Sequence, residues 1–419
     1  MGEGGGAPAV TDSRETRILE LVEYEAQTFD RDEIAETDAR TLYQKFYEKV
    51  DVESPGFKTD DRWMLTSQGW VGYLPVSDRL AISLRPKVPI RSLFAMFDYA
   101  YGLQSLEFLE GVYDVSSLDE FYDRLAGILA RRVLDRGRRG FHRAYVRIEE
   151  DLPYVRGSID IPDRIRHPWS PVIACEYEDH TADITDNRIL AWTLFCIGRT
   201  GLLSERTTPL VREAYHALVG AAALEPVAPS TCKGRRYDRL NEDYRPTHAI
   251  CRFFLDHMGP SGDHGSRESL PFLVNMGRLF EMFVAEWLKE HLPERFGLSW
   301  QQSFRIGSGE SLRFQIDMMI YERSSGRNLL VLDAKYKAPT SPSTDDILQI
   351  IGYAHSLGCP GAALVYPTAI PEPLDVRIRD IGIRTMRFDI SKSVAAGGEE
   401  FLRELVAWAA KELQSANLS

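Results

Sequence analysis

The sequence predicts a multidomain α+β and α/β protein. A small β-region leads into helices, and a mixed sheet between helices closes the chain. Three observations predict this. Strand-like alternation concentrates at residues 70–85 and 314–337, and residues 90–258 carry mostly helical apolar spacing. Beyond residue 272, helix and strand patterns interleave, the order of a sheet covered by helices. With 419 residues and 44% hydrophobic content, the chain can form two or three domains with real cores.

Taken in order, residues 1–15 read as a flexible tail. Arg14–Leu21 reads as a strand or short helix, and Arg31–Val50 as a helix. Trp70–Pro75 and Leu80–Arg85 form a hairpin turning at Ser77-Asp78. Arg91–Leu103 is an apolar helix. Ser117–Leu134 is amphipathic and opens on a Ser-x-x-Glu cap, Ser117 and Glu120. Tyr154–Pro162 reads as a strand, and Asn187–Arg199, Ser204–Leu224 and Arg245–Met258 as helices. The Gly- and Ser-rich residues 259–271 are the expected linker. After it come a helix over Asn275–Leu288, a hairpin, and a helix over Asp345–Leu357. Strands at Ala362–Tyr366, Val376–Ile381 and Thr385–Asp389 and a helix over Glu399–Gln414 follow. The expected domains are therefore 16–110, mixed α/β; 111–258, mainly helical; and 272–419, with the mixed sheet.

Composition narrows the function. No run of eighteen apolar residues occurs, so no membrane span is expected. The first residues lack the basic and apolar regions of a signal peptide, which points to a cytoplasmic protein. Cys175, Cys196, Cys232, Cys251 and Cys359 are scattered, which argues against a disulfide framework, a zinc site or an iron–sulfur cluster. There is no G-x-x-x-x-G-K-[S/T] loop, so the chain alone is expected to bind no nucleotide. Net charge is −12, unusual for a protein that grips DNA unaided. Residues 1–60 hold 15 acids against 7 bases, whereas residues 266–419 hold 19 acids and 17 bases. Such a balance implies weak intrinsic DNA affinity and a partner that loads the substrate. Residues 131–147 hold seven arginines and one acid. They could bind DNA or an acidic partner face, or be a solvated helix end paired with Glu149, Glu150 and Asp151.

The chemistry concentrates in Phe314–Lys337, FQIDMMIYERSSGRNLLVLDAKYK. A hairpin centred on Ser325 sets Asp317 opposite Asp333, with Cβ atoms ~5 Å apart on one face. Lys335, two residues on, shares that face. Ile316, Met318, Ile320, Leu332 and Ala334 make the other, core-facing side. Two carboxylates on an apolar hairpin repel and lose hydration, so the pair calls for a cation. Oxygen ligands alone suit Mg²⁺ or Mn²⁺, and Lys335 adds fixed positive charge for a phosphate or hydroxide. That layout suits metal-assisted phosphodiester hydrolysis. Glu281 lies within the preceding apolar helix, and Gln349 and Tyr353 share one face of the following helix. The competing reading is a surface hairpin with a weak Asp333–Lys335 salt bridge.

Asp317, Asp333-Ala334-Lys335, Gln349-x-x-x-Tyr353 and a preceding helical Glu281 resemble the PD-(D/E)XK nuclease superfamily. Ile316 stands where that family places proline. The resemblance implies a restriction-endonuclease-like α/β/α domain over 272–419. It implies metal ligation by Asp317, Asp333 and the Ala334 backbone carbonyl, with Glu281 as a further candidate ligand. Lys335 would assist attack by water, and Gln349 would place lysine or DNA. Tyr353, Lys337 and Arg278 are further candidates for positioning DNA. Upstream, GWVGYLPVSDRLAISLRPKVPIRSLFAMFDYAYGL, RGFHRAYVRIEEDLPYVRGSIDI and CEYEDHTADITDNRIL resemble McrC-type subunits of McrBC modification-dependent restriction systems, as do NMGRLFEMFV and VLDAKYK. The motifs occur in the expected order over about residues 65–390. This resemblance implies an endonuclease subunit that docks into a McrB-like AAA+ NTPase hexamer, usually GTP-driven, stimulates it and cuts double-stranded DNA. Its partner-docking part would be 16–110, with the Trp70–Lys87 hairpin as the candidate insert. The alternatives are a stand-alone RecB-like exonuclease and a non-catalytic activator of the motor.

Overall fold

The computed structural model describes residues 16–103, 117–258, 270–306, 312–391 and 393–416. The expected tail and nearly all of the expected linker lie outside them. The chain forms two compact units, Met1–Lys87 with Asp263–Asn275, and Val88–Gly262 with Met276–Ser419. This partition differs from the expected one. The helix after residue 88 and the mixed sheet belong to one unit, and a strand after the linker returns to the first.

The first unit holds two sheets. Strands β1 (Arg17–Val22), β2 (Ala26–Phe29), β3 (Val50–Glu53), β4 (Trp63–Ser67), β5 (Trp70–Pro75) and β6 (Leu80–Arg85) surround one helix, α1 (Glu36–Lys45). The expected hairpin is therefore found at its expected bounds. The helix expected over Arg31–Val50 is shorter. It ends at Phe46, and Val50–Glu53 instead pairs antiparallel with β4, burying Val50. Phe272–Asn275 adds antiparallel to β5, giving the sheet order β1-β6-β5-β10. Gly72 permits that pairing: a Cβ there would meet the Phe272 carbonyl oxygen at 2.1 Å. Leu21, Leu42, Leu65, Leu74 and Ile82 fill the core between the two sheets.

The second unit begins with α2 (Ile90–Tyr101) and α3 (Leu118–Arg139), the latter capped by Ser117, which accepts from the Glu120 amide. Next come β7 (Ala144–Leu152), β8 (Ser158–Ile159), α4 (Ile161–Arg166) and β9 (Ile173–Thr181), then α5 (Thr185–Ile197), α6 (Thr207–Leu218) and α7 (Tyr244–His257). After β10 (Phe272–Asn275) of the first unit come α8 (Met276–His291), β11 (Phe296–Ile306), β12 (Leu312–Glu322) and β13 (Asn328–Ala334). The chain closes with α9 (Thr344–Leu357), β14 (Gly361–Tyr366), β15 (Asp375–Ile378), β16 (Ile381–Arg387) and α10 (Val394–Ala416). Stacked and edge-on rings of Phe94, Phe97, Phe121 and Phe253 bind α2, α3 and α7 into one helical core. That packing is why α2 leaves the first unit.

The mixed sheet runs β11-β12-β13-β14-β16-β15, with β13, β14 and β16 parallel. Helix α9 covers one face, where Ile350, Tyr353 and Ala354 meet Met319, Val331 and Leu364. On the other side, Phe388 at the end of the sheet packs against Phe283 and Trp287 of α8 and Phe401 of α10. The hairpin is thus central and covered on both faces, whereas its apolar side was expected on one face only. β13 is buried from Leu329 to Ala334, the continuous apolar run of a parallel-sheet strand.

Candidate active site

The β12–β13 register matches the expected one over Met318↔Leu332, Met319↔Val331 and Ile320↔Leu330. A bulge after Ile320 and the left-handed Gly326 (φ 70°) complete the turn. The next step along the ladder brings Asp317 beside Asp333. The Ala334 amide donates to Asp317 Oδ2 at 3.2 Å. Asp333 is 3% exposed, and its Oδ2 receives no directed hydrogen bond although Lys335 Nζ lies 2.7 Å away. Burial, a hydrogen bond shared with Asp333, and the charges of Glu281 and Asp333 push the Asp317 carboxyl up to about 9. Burial and the neighbouring charges thus favour the protonated form of Asp317.

Lys335 answers that negative charge. Burial works against its ammonium, but Asp333, then Asp346 and Asp317, hold it above its ordinary range. Its Nζ is 3.5 Å from Asp346 Oδ1 and 3.5 Å from Gln349 Oε1. Gln349 Nε2 in turn donates to the Tyr353 hydroxyl at 2.7 Å. Lys337 pairs with Asp346 Oδ2 at 2.5 Å. Five sequence-derived candidates (Asp317, Asp333, Lys335, Gln349 and Tyr353) therefore form one connected group, and Lys337 joins it through Asp346.

Glu281 reaches Asp317 through its charge. Among the described residues, no group of three or more His, Cys, Asp or Glu is arranged to hold a metal ion. The carboxylates that meet are thus a pair, with Glu281 as their electrostatic neighbour. Arg278 is exposed and pairs with Asp256 of α7 at 3.4 Å.

Sequence reasoning missed two residues here. Asp346, in the first turn of α9, bridges Lys335 and Lys337. Ser343 Oγ fixes it at 2.6 Å while also capping α9. The Ser343-x-x-Asp346 spacing was the available signal. Tyr366 is 1% exposed, and its hydroxyl has no hydrogen-bond partner. Burial and then the charges of Asp346 and Asp333 push that hydroxyl up to about 12. Only the parallel pairing of β13 with β14 brings it near, which no local pattern reveals.

A second region was read only in part: of the strand expected over Tyr154–Pro162 only Ser158–Ile159 is strand, and β7 and β9 were not expected. β7 and β9 pair over nine positions, from Ala144↔Thr181 to Leu152↔Ile173, and β8 adds to β9. Tyr145 on β7, and in the segment that joins β7 to β9 Tyr154, Val155, Ile161, Ile165 (75% exposed) and Trp169 (80% exposed), lie at the surface. The expected docking hairpin, β5–β6, is by contrast an inner part of its sheet, with Val71, Leu74, Leu80 and Ile82 buried. The basic run pairs mostly elsewhere than expected: Arg136 and Arg139 with Asp243, Arg138 with Asp135, and Arg147 with Glu176 as well as Glu149.

Fold and site define a mixed α/β protein whose central hairpin presents two adjoining carboxylates and a lysine beneath a capped helix. Its residues 65–367 match the family described as McrBC 5-methylcytosine restriction system component, and the chain belongs to that family. It is 24% identical over 330 residues to the type IV methyl-directed restriction enzyme EcoKMcrBC of Escherichia coli K12, covering 72% of this chain and 93% of that relative. Its fold is also similar to a chain in the refined half-complex from the tetradecameric assembly of Thermococcus gammatolerans McrB AAA+ hexamers with bound McrC. There the TM-score is 0.54 at 19% identity, over 93% of this chain and 100% of the other. No helix among the described residues is long and apolar enough to cross a membrane.

Proposed function

We propose that this chain is the DNA-cutting subunit of a modification-dependent restriction system, hydrolysing phosphodiester bonds with Mg²⁺ or Mn²⁺ and working with an AAA+ NTPase. One observation carries the reading: two adjoining buried carboxylates, one pushed up to about 9, with an ammonium 2.7 Å from the other. A salt bridge alone needs one acid, and a second in the same place costs stability unless a cation joins them.

The residues fit a hard divalent ion. Their donors are oxygens, one buried Asp333 oxygen lacks a directed hydrogen bond, and a cation would offset the burial and the neighbouring negative charges that raise the Asp317 pKa. Asp317 and Asp333 would hold it, together with the Ala334 carbonyl. When bound, such an ion polarises a phosphoryl oxygen and makes water more acidic. Lys335, charged at neutral pH and facing the pair, stabilises the negative charge that builds on phosphate during attack. Asp346 and Gln349 hold the ammonium in place, and Tyr353 holds Gln349. Glu281 strengthens the local negative potential and so favours a cation there.

The motor partner is assigned to the exposed β7–β9 ribbon rather than to β5–β6. An apolar surface of this kind marks a protein contact. The partner is a McrB-like AAA+ hexamer, with GTP as the expected nucleotide and double-stranded DNA as the substrate. The test uses the full chain with its cognate motor, Mg²⁺ and modified plasmid. Asp333→Asn is expected to abolish cleavage while nucleotide turnover continues. Undiminished cleavage by the variant would overturn the assignment.

A further inference from the structure

A cavity of about 680 Å³ opens between α3, α6 and α7, well apart in sequence from the acid hairpin. Six arginines line it: Arg124, Arg131, Arg132, Arg136 and Arg139 of α3, and Arg206 just before α6. Four carboxylates also line it, and each is engaged. Asp123 accepts from the Ser204 amide and hydroxyl and from the Thr207 hydroxyl. Glu120 pairs with Arg124, Asp135 with Arg138, and Asp243 with Arg136 and Arg139. Six guanidinium groups against four occupied acids leave the cavity positive, on a chain whose net charge is −12.

The arrangement is more than a solvated helix face. Arg132 is half-buried, and burial lowers its pKa although Asp243 opposes this. Arg136 stacks over the Tyr244 ring at 5.2 Å, and its Nε is buried without a hydrogen-bond partner. The fold thus holds cationic groups partly out of water, with Arg132, Arg136 and Arg139 gathered around the single carboxylate of Asp243. Arg131 and Arg206 are exposed, and neither is in an ion pair among the described residues.

We propose that this cavity binds the phosphodiester backbone of DNA, independently of base sequence. From Arg124 to Arg139 the arginines extend along α3 for about 22 Å, at 1.5 Å per residue. A row of that length meets several successive phosphates, where a compact anion would need a single cluster. Planar guanidinium forks match phosphate oxygens in pairs. Tyr244, the only aromatic residue of the lining, is 2% exposed, so no ring is offered for base stacking. Placed in the same unit as the acid hairpin, the site would retain DNA that the motor delivers. The choice of DNA as the polyanion rests on the proposed function.

The experiment measures binding of a fluorescein-labelled duplex to the full chain by anisotropy, in EDTA, over a range of salt. Arg131→Ala/Arg206→Ala is expected to weaken binding about tenfold at low salt. It should also reduce the log–log salt slope by about two, one per lost phosphate contact. Arg40→Ala, at an exposed side chain of α1 in the first unit, should change neither. Unchanged affinity and slope in the double variant would overturn the proposal. So would a polyglutamate peptide that binds the wild type as tightly as DNA and loses affinity in the double variant, which would mark an acidic protein partner instead. Because EDTA removes any cleavage, the result stands apart from the nuclease reading. A chain that binds DNA through these arginines yet never cuts it would sink that reading and leave this one standing.

Discussion

The β12–β13 hairpin and the β7–β9 ribbon are both antiparallel pairs, and they put their unusual residues in opposite places. The hairpin hides charge: Asp333 is 3% exposed at the centre of a six-stranded sheet. The ribbon exposes apolar surface, with Trp169 80% exposed. Each breaks the usual rule of burial, and each breach points to something that must be supplied from outside. Buried acids call for a cation; exposed rings call for a protein face. On the proposed function, chemistry and docking lie in separate parts of the chain, and single substitutions should separate them in function.

After the abolition of cleavage expected from Asp333→Asn, the largest effect should come from Lys335. Lys335→Ala is expected to lower plasmid cleavage about 10²–10³-fold, the usual loss for one group that stabilises developing charge. Nucleotide turnover by the motor should stay within about twofold if the ribbon alone carries docking, since Lys335 lies far from it in the chain. Loss of both activities together with a lowered melting temperature would instead make Lys335 structural.

The reverse pattern should follow from the ribbon. Trp169→Ala is expected to weaken motor binding about 30-fold, as for a buried aromatic anchor worth about 2 kcal/mol. The melting temperature of the isolated chain should hold, because the ring is already in water. Unchanged affinity would remove the ribbon from the interface.

These two regions were unequally legible in the sequence. The hairpin register followed from one turn, and alternation placed Asp317 and Lys335 on the face of Asp333. What alternation could not show is that Met319 and Val331, on the acid face, are themselves core beneath α9. Central strands of a mixed sheet lose the polar half of their pattern. The ribbon failed differently. In AYVRIEEDL the apolar Ala144, Val146 and Ile148 alternate with Tyr145, Arg147 and Glu149, but Glu150 breaks the pattern and only Leu152 is fully buried, so the strand signal is short. β11 was missed as well, although Phe296, Leu298, Trp300, Phe304 and Ile306 alternate with Gly297, Ser299, Gln301, Ser303 and Arg305; only Gln302 breaks the period. Helices were easier, since α3, α5, α7, α8 and α9 each bury an apolar stripe. Long-range neighbours such as Tyr366 were beyond local reading.

A pH effect sharpens the comparison. Folded Asp317 holds its proton up to about 9, whereas the unfolded residue ionises near its ordinary 3.8. The metal-free fold therefore loses stability as pH rises between those values. Binding a divalent ion must expel that proton, so Mn²⁺ affinity should rise by up to tenfold per pH unit below about 9. Melting shifts with Mn²⁺ at pH 6.5 and 8 would read this out, and Asp317→Asn should flatten the dependence. The ribbon variant should leave it unchanged.

The smallest expected effect belongs to Tyr366. Its hydroxyl is buried without a hydrogen-bond partner near Asp333 and Asp346. Tyr366→Phe removes that group without opening a cavity, so stability should move by less than about 1 kcal/mol. Cleavage should fall less than tenfold; a loss as large as that of Lys335→Ala would promote Tyr366 to the central machinery.

The most direct test of the central claim is calorimetric titration of Mn²⁺ into the full chain and into Asp333→Ala at pH 8. The account predicts a saturable heat with the wild type, released with a proton, and none with the variant. Equal heats from the two proteins would show that Asp317 and Asp333 are not a metal-binding pair, and the catalytic assignment would fall with them.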